Sequence, residues 1–188
     1  IFLFLLLILS TNTTSRSKTA WQTQLSPFYL GPCNLYEGFT AKRMENAWQY
    51  SKVYQKHVGE DGEPTLEYFE WATSGWNSSK AERYPMGKGV LPEYSFWDNK
   101  HYQYIEARKK IYVPLYAKAV MKTEGYQRVK EIYESGKTLY LLDYDAYRHD
   151  DLGMTLTEVL NNTKKKSGHA FVLMMLLTND QALKQCDL

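Results

Sequence analysis

Apolar positions recur at helical spacing along most of the chain and alternate like a strand in few places. Residues 43–58 (RMENAWQYSKVYQKHV) place Met44, Ala47, Trp48, Ser51, Tyr54 and Val58 near i, i+3, i+4, i+7. That pattern predicts one amphipathic helix ending at Gly59. A second helix is expected over residues 65–73, with Pro64 at its first turn. Residues 99–122 form the longest periodic segment, carried by Tyr104, Ala107, Ile111, Leu115 and Lys118. Pro114 is expected to kink or divide it, because proline lacks a backbone donor. Residues 124–135 read as a helix closed by Gly136. Residues 152–162 read as a short helix, and residues 169–177 as an apolar core helix.

Strand signals are sparser. Residues 26–38 (SPFYLGPCNLYEG) suit short strands and turns, and residues 138–144 (TLYLLDY) suit a buried strand. Residues 75–92 are irregular, and their YPMGKG stretch does not fit a phosphate-cradling glycine motif. The fold class expected is α+β, predominantly α-helical, with a few short strands. No repeat or linker divides the chain, so residues 21–188 are expected to form one domain. Residues 1–20 are expected to lie outside it. Residues 1–9 (IFLFLLLIL) are too short to span a bilayer and fit the apolar part of a signal peptide, and residues 10–20 are polar.

Charge and cysteine narrow the function classes. A net charge of +2 argues against a protein held on nucleic acid by bulk electrostatics. The clusters Arg108-Lys109-Lys110 and Lys164-Lys165-Lys166 read first as a solvated helix face and a basic loop, with a phosphate-contacting role for one of them as the lesser alternative. Cys33 and Cys186 read as free thiols, which favours the cytoplasm, whereas a signal peptide in residues 1–20 would make the protein secreted. The folded domain is expected to make no membrane contact. Aromatic residues reach 15%, enough to pack a core, stack a flat ligand, or both.

Two constellations carry chemistry. Glu45, Gln49 and Lys52 fall at i, i+4 and i+7 beside Trp48, the make-up of a pocket rim. On spacing alone, the same row is the solvent face of an ordinary helix. Asp143 and Asp145 close the strand candidate and would point the same way in a strand. Tyr147, Arg148, His149, Asp150 and Asp151 follow, without metal-ligand spacing.

Residues 37–52, EGFTAKRMENAWQYSK, resemble a signature of the NADAR superfamily, the YbiA-like N-glycosidases. That signature is an acidic-Gly turn, a short strand and a Glu-His-x-x-Gln-x-x-Lys helix. Glu37-Gly38, Glu45, Gln49 and Lys52 match without a gap, and Asn46 stands where the family usually has His. Weaker similarity extends over about residues 26–178. Residues 81–87 resemble an Ala…Gly-Arg segment with its Arg out of place. Tyr104-x-x-x-Arg108 resembles a Trp-x-x-x-Lys/Arg helix, with Trp97 as the other claimant to the Trp position. The family's Trp-Gly after the Asp is absent.

The resemblance implies a single NADAR-like domain that hydrolyses the N-glycosidic bond of a nucleotide-type riboside. The family's substrates are riboflavin-pathway intermediates and ADP-ribosylated guanine bases, so the implied partners are a small nucleotide or ADP-ribosyl molecule, or ADP-ribosylated nucleic acid. Cleaving C1′–N develops oxocarbenium character on the ribose, which a nearby carboxylate offsets. Glu45 is the expected catalytic carboxylate, with Asp145 second and Asp143 in reserve. Lys52 is expected to bind phosphate or to hold Glu45 ionised by lowering its pKa. Trp48, Gln49, Trp97, Tyr104, Arg108 and Tyr147 complete the expected substrate contacts. Neither a metal nor a cofactor is required. The alternative is a module of the same fold that binds ADP-ribose or a nucleotide without cleaving it.

Overall fold

Helix dominates, and strands occur only as short local pairings. The computed structural model describes residues 8–188. Strand β1 (Ile8–Asn12) is followed by the short helix α1 (Ala20–Thr23). A two-stranded ribbon, β2 (Cys33–Asn34) with β3 (Thr40–Ala41), leads into α2 (Met44–Gln49). Strand β4 (Lys52–Val53) and helix α3 (Leu66–Asn77) come next. Strands β5 (Tyr94–Trp97) and β6 (Lys100–Tyr102) complete an antiparallel sheet in the order β4-β5-β6. Helix α4 (Tyr104–Ala107) runs through a π-helical turn (Arg108–Tyr112) into α5 (Val113–Val120). Helix α6 (Glu124–Glu134), strand β7 (Thr138–Leu142), helix α7 (Leu156–Leu160) and helix α8 (His169–Thr178) finish the chain. The fold is therefore α+β and mainly helical. No helix of the described residues is long and apolar enough to cross a membrane.

Where local chemistry is decisive, the elements fall where the sequence puts them. Helix α6 starts at Thr123, whose side chain accepts from the Tyr126 N–H at 3.0 Å, and Gly136 follows its end at φ 74°. Thr155 and Glu158 form a capping box at the start of α7. Helix α8 is apolar all round and buries Phe171, Val172, Leu173 and Met175 in the core.

Three expectations change. The helix predicted over residues 43–58 stops at Gln49, and Lys52 and Val53 pair with Ser95 and Tyr94 instead. Partners forty residues away supply backbone hydrogen bonds that a continued helix would have used. The predicted division at Pro114 is a π turn just before it. Pro114 cannot donate, so the ladder widens upstream and resumes as α5. Strand β7 is half-exposed rather than buried, with Tyr140 41% and Leu142 50% accessible. Its only sheet partner among the described residues is β1, in parallel.

That pairing also corrects the boundary of the domain. The expected leader, residues 1–20, belongs to the fold from Ile8 onward, where Ile8–Asn12 run in register with Thr138–Leu142. Thr13 is fully buried, with its N–H and its hydroxyl both donating to Leu142 O at 3.0 and 2.8 Å. A short segment read alone carries no sign of a distant partner; beside β7, Ile8–Asn12 find the backbone partners a strand needs. Residues 1–7 lie outside the described residues.

Candidate functional site

A cavity of about 810 Å³ opens between α2, β4, the loop before β5, the π turn, the turn after β7 and the loop entering α8. Helix α2 forms its floor. No side chain caps this helix; the loop before it does so through its backbone. Met44 and Glu45 N–H groups donate to Leu30 O at 2.8 Å and Pro27 O at 2.9 Å. All six residues of α2 are buried, so Glu45 is an interior carboxylate, 5% exposed, and not part of a solvent face.

Glu45, Gln49 and Lys52 form a chain of hydrogen bonds. Gln49 Nε2 donates to Glu45 Oε1 at 2.8 Å, and Lys52 Nζ donates to Gln49 Oε1 at 2.6 Å. Lys52 Nζ also sits over the Trp48 ring, 4.7 Å from its centre. Burial raises the Glu45 carboxyl above the usual carboxylate range, and the opposing pull of Gln49, Lys52 and Arg83 does not reverse it. Lys52 does pull the carboxyl down, as expected, but it does not set the direction: desolvation outweighs the cation, and an amide stands between the two charges. Lys52 itself is lowered to about 8 by burial, with the Glu45 charge resisting. An amine at that value is partly neutral near physiological pH and can accept a proton or add to an electrophilic carbon.

Asp145 pairs with Arg83 and lies 3.5 Å from Lys166 Nζ. Asp143 lines the same cavity but takes different partners. The chain turns after Leu142, where the Ala146 N–H donates to Asp143 O at 3.3 Å, so strand alternation no longer applies. The Asp143 carboxylate sits 3.2 Å from His169 Nδ1 and accepts from the Ala170 N–H at the start of α8. His169 Nε2 is 2.8 Å from Thr13 O, which links β1 to the cavity wall. Gly168 leaves room for this arrangement, since a Cβ there would collide with Asp143 Oδ2. Tyr112 packs 5.3 Å from Trp48. Burial, and then the charges of Glu45, Asp143 and Asp145, hold its phenol neutral far beyond its ordinary range.

Asn46, next to Glu45 on α2, is structural. Asn46 is fully buried and donates to Gly75 O and Lys80 O, and the Glu82 N–H donates to Asn46 Oδ1 at 2.9 Å. It anchors the segment that delivers Arg83 to the cavity.

The chain matches the family of unknown function DUF6939 over residues 8–159. It belongs to that family. No curated protein and no solved structure matches it. The DUF6939 span contains Glu45, Lys52, Arg83 and Asp145 and ends before the basic loop and α8.

Of the sequence-predicted site residues, Glu45, Trp48, Gln49, Lys52, Tyr104, Arg108, Asp143 and Asp145 all line the cavity. Trp97 does not; it packs edge-on against Tyr36 with ring centres 5.0 Å apart. Tyr147 also lies outside the lining, against Phe171 at 4.8 Å. Arg108 is in the wall but largely committed, because Nη1 donates to Val159, Leu160 and Asn162 carbonyls and so closes α7. Sequence reasoning missed Arg83, Tyr112 and His169 as wall residues, and it left the loop of Lys164–Lys166 outside the candidate site, with phosphate contact only as a lesser alternative. Only the loop had a signal, its run of three lysines, and that run reads first as solvated surface. The acid-rich stretch after Asp145 disperses: Arg148 pairs with Asp150 and Asp151, and His149 packs on Phe171.

Proposed function

We propose that the protein hydrolyses the N-glycosidic bond of a phosphorylated riboside, with the chemistry at Glu45. The observation that carries the reading is the interior Glu45–Gln49–Lys52 chain on the floor of a cavity lined by aromatic rings and cations. A volume of about 810 Å³ suits a nucleotide-sized ligand. The resemblance of residues 37–52 to the YbiA-like N-glycosidases supports the same reading. Trp48, Tyr104 and Tyr112 offer faces for a base, and the cations suit phosphate.

In this reading the C1′–N bond breaks, water adds to C1′ and a proton reaches the departing nitrogen. Glu45, raised by burial, holds a proton closer to neutral pH than a surface glutamate does and passes it to that nitrogen. Once ionised, it faces the positive charge developing on the ribose. Asp145, positioned by Arg83, is the second carboxylate and takes the proton that the water gives up as it adds to C1′.

The test is base release by the purified protein from ADP-ribosyl-guanine or an aminopyrimidine riboside phosphate. Glu45→Gln is expected to slow it by about 100-fold or more. Equal rates for variant and wild type on a cleaved substrate would overturn the role of Glu45. A second reading, a binding module without catalysis, is favoured by the engagement of Asp145 by both Arg83 and Lys166. Nucleotide binding with no base released over long incubation would establish it.

A further inference from the structure

Three buried polar atoms around the loop of residues 162–168 have no hydrogen-bond partner among the described residues: Arg108 Nη2, Ser167 Oγ and Tyr147 Oη. Interior donors are almost always paired, so three such atoms around one loop call for an acceptor. Arg108 is 2% exposed, and it and Ser167 both belong to the cavity wall. The Arg108 guanidinium is held on two sides: Nη1 donates to the carbonyls closing α7, and Cζ lies 4.6 Å from the Tyr104 ring centre. Asn162 Oδ1 accepts from the Lys164 and Lys165 N–H groups at 2.8 and 2.9 Å, which shapes the loop. Lys164, Lys165 and Lys166 all line the cavity.

We propose that this corner is the phosphate subsite of the cavity: the loop lysines attract a phosphate ester and Arg108 Nη2 and Ser167 Oγ donate to its oxygens. The site takes the phosphate or diphosphate of a small nucleotide-type ligand. Asp143 already occupies the first turn of α8, so the phosphate is held by side chains and not by that helix end. Lysine supplies the compact attracting charge, and the fixed guanidinium supplies a directed N–H. The subsite deepens the proposed function, because it orients a riboside phosphate with its sugar toward Glu45.

The test is calorimetry on the full chain with ADP-ribose, ribose 5-phosphate and adenosine as probes. Wild type is expected to bind the phosphorylated probes at least about tenfold more tightly than adenosine, with an affinity that falls as salt rises. The double variant Lys164→Gln/Lys165→Gln is expected to lose most of that advantage and to flatten the salt dependence, with adenosine binding unchanged. Ser167→Ala is expected to weaken the phosphorylated probes about threefold to tenfold. Arg108→Lys keeps the charge but loses the directed donor, and its melting curve separates lost binding from lost folding.

Phosphate-independent binding by wild type, no binding of any probe, or full affinity in the loop and Ser167 variants would overturn the subsite. These outcomes differ from failure of the proposed function. A protein that binds phosphate through this loop and releases no base keeps the subsite and loses the N-glycosidase. One that releases base with unchanged affinity in the loop variants does the reverse.

Discussion

Gln49 donates its side-chain amide to Glu45 across 2.8 Å inside the domain, and its amide oxygen faces Lys52. A primary amide is a donor at one end and an acceptor at the other, which is what a carboxylate and an ammonium on either side require. Gln49→Leu keeps the volume and removes both bonds. The expected result is a folded protein whose base release falls by about tenfold or more, with Lys52 titrating below its wild-type value. Steady-state kinetics and a pH–rate profile would check it.

Glu45 is the charge that resists the lowering of Lys52. Glu45→Gln should therefore move Lys52 further down, below about 8. NMR titration of lysine side-chain carbons in wild type and variant reads this directly. An unmoved resonance would mean that the two groups are not coupled.

Lys52 also gives stability a pH dependence with a definite sign. Its folded value is depressed to about 8 from 10.5, so the unfolded chain binds more protons between those values. The destabilisation from Lys52 is full below about pH 8 and is relieved as pH rises toward 10.5. Relative to Lys52→Met, wild type should gain stability across that window in urea melts.

Asp143 ties His169 and the first turn of α8 together, at the back of the cavity. Asp143→Asn is expected to cost about 1–3 kcal/mol of unfolding free energy, because it leaves buried groups poorly paired. Gly168→Ala drives a methyl group into the same carboxylate and should cost a similar amount, about 1–3 kcal/mol. Denaturant unfolding measures both.

Thr13 closes the β1–β7 pairing through two donors to Leu142 O. Thr13→Pro removes both and is expected to lower stability by about 1–3 kcal/mol. Hydrogen exchange should show protected amides in Ile8–Asn12 of the wild type. Free exchange there would place this segment outside the cooperative domain.

Much of the helical framework is legible locally. The Thr123 cap with Gly136 marks both ends of α6, and an unbroken apolar run marks α8. The pattern fails where a distant segment competes for the backbone. Residues 50–58 carry a helical stripe, yet Tyr94 and Ser95 draw Val53 and Lys52 into a sheet. Strand β1, Ile8–Asn12, has its partner about 130 residues away in β7, a relationship no local window contains.

The sequence by itself determined a mainly helical α+β domain and placed Glu45 and Gln49 on adjacent turns of one helix, because helical caps and side-chain periods are properties of neighbouring residues. Only the tertiary structure decided that Lys52 leaves this helix for a strand, that Glu45 and Gln49 face inward, that burial raises Glu45 despite Lys52, and that Asp143 and Asp145 take different ion-pair partners. It alone brought Arg83, Tyr112 and the loop lysines to the same cavity. Desolvation and charge pairing depend on what surrounds a group in space, and spacing along the chain does not carry that information.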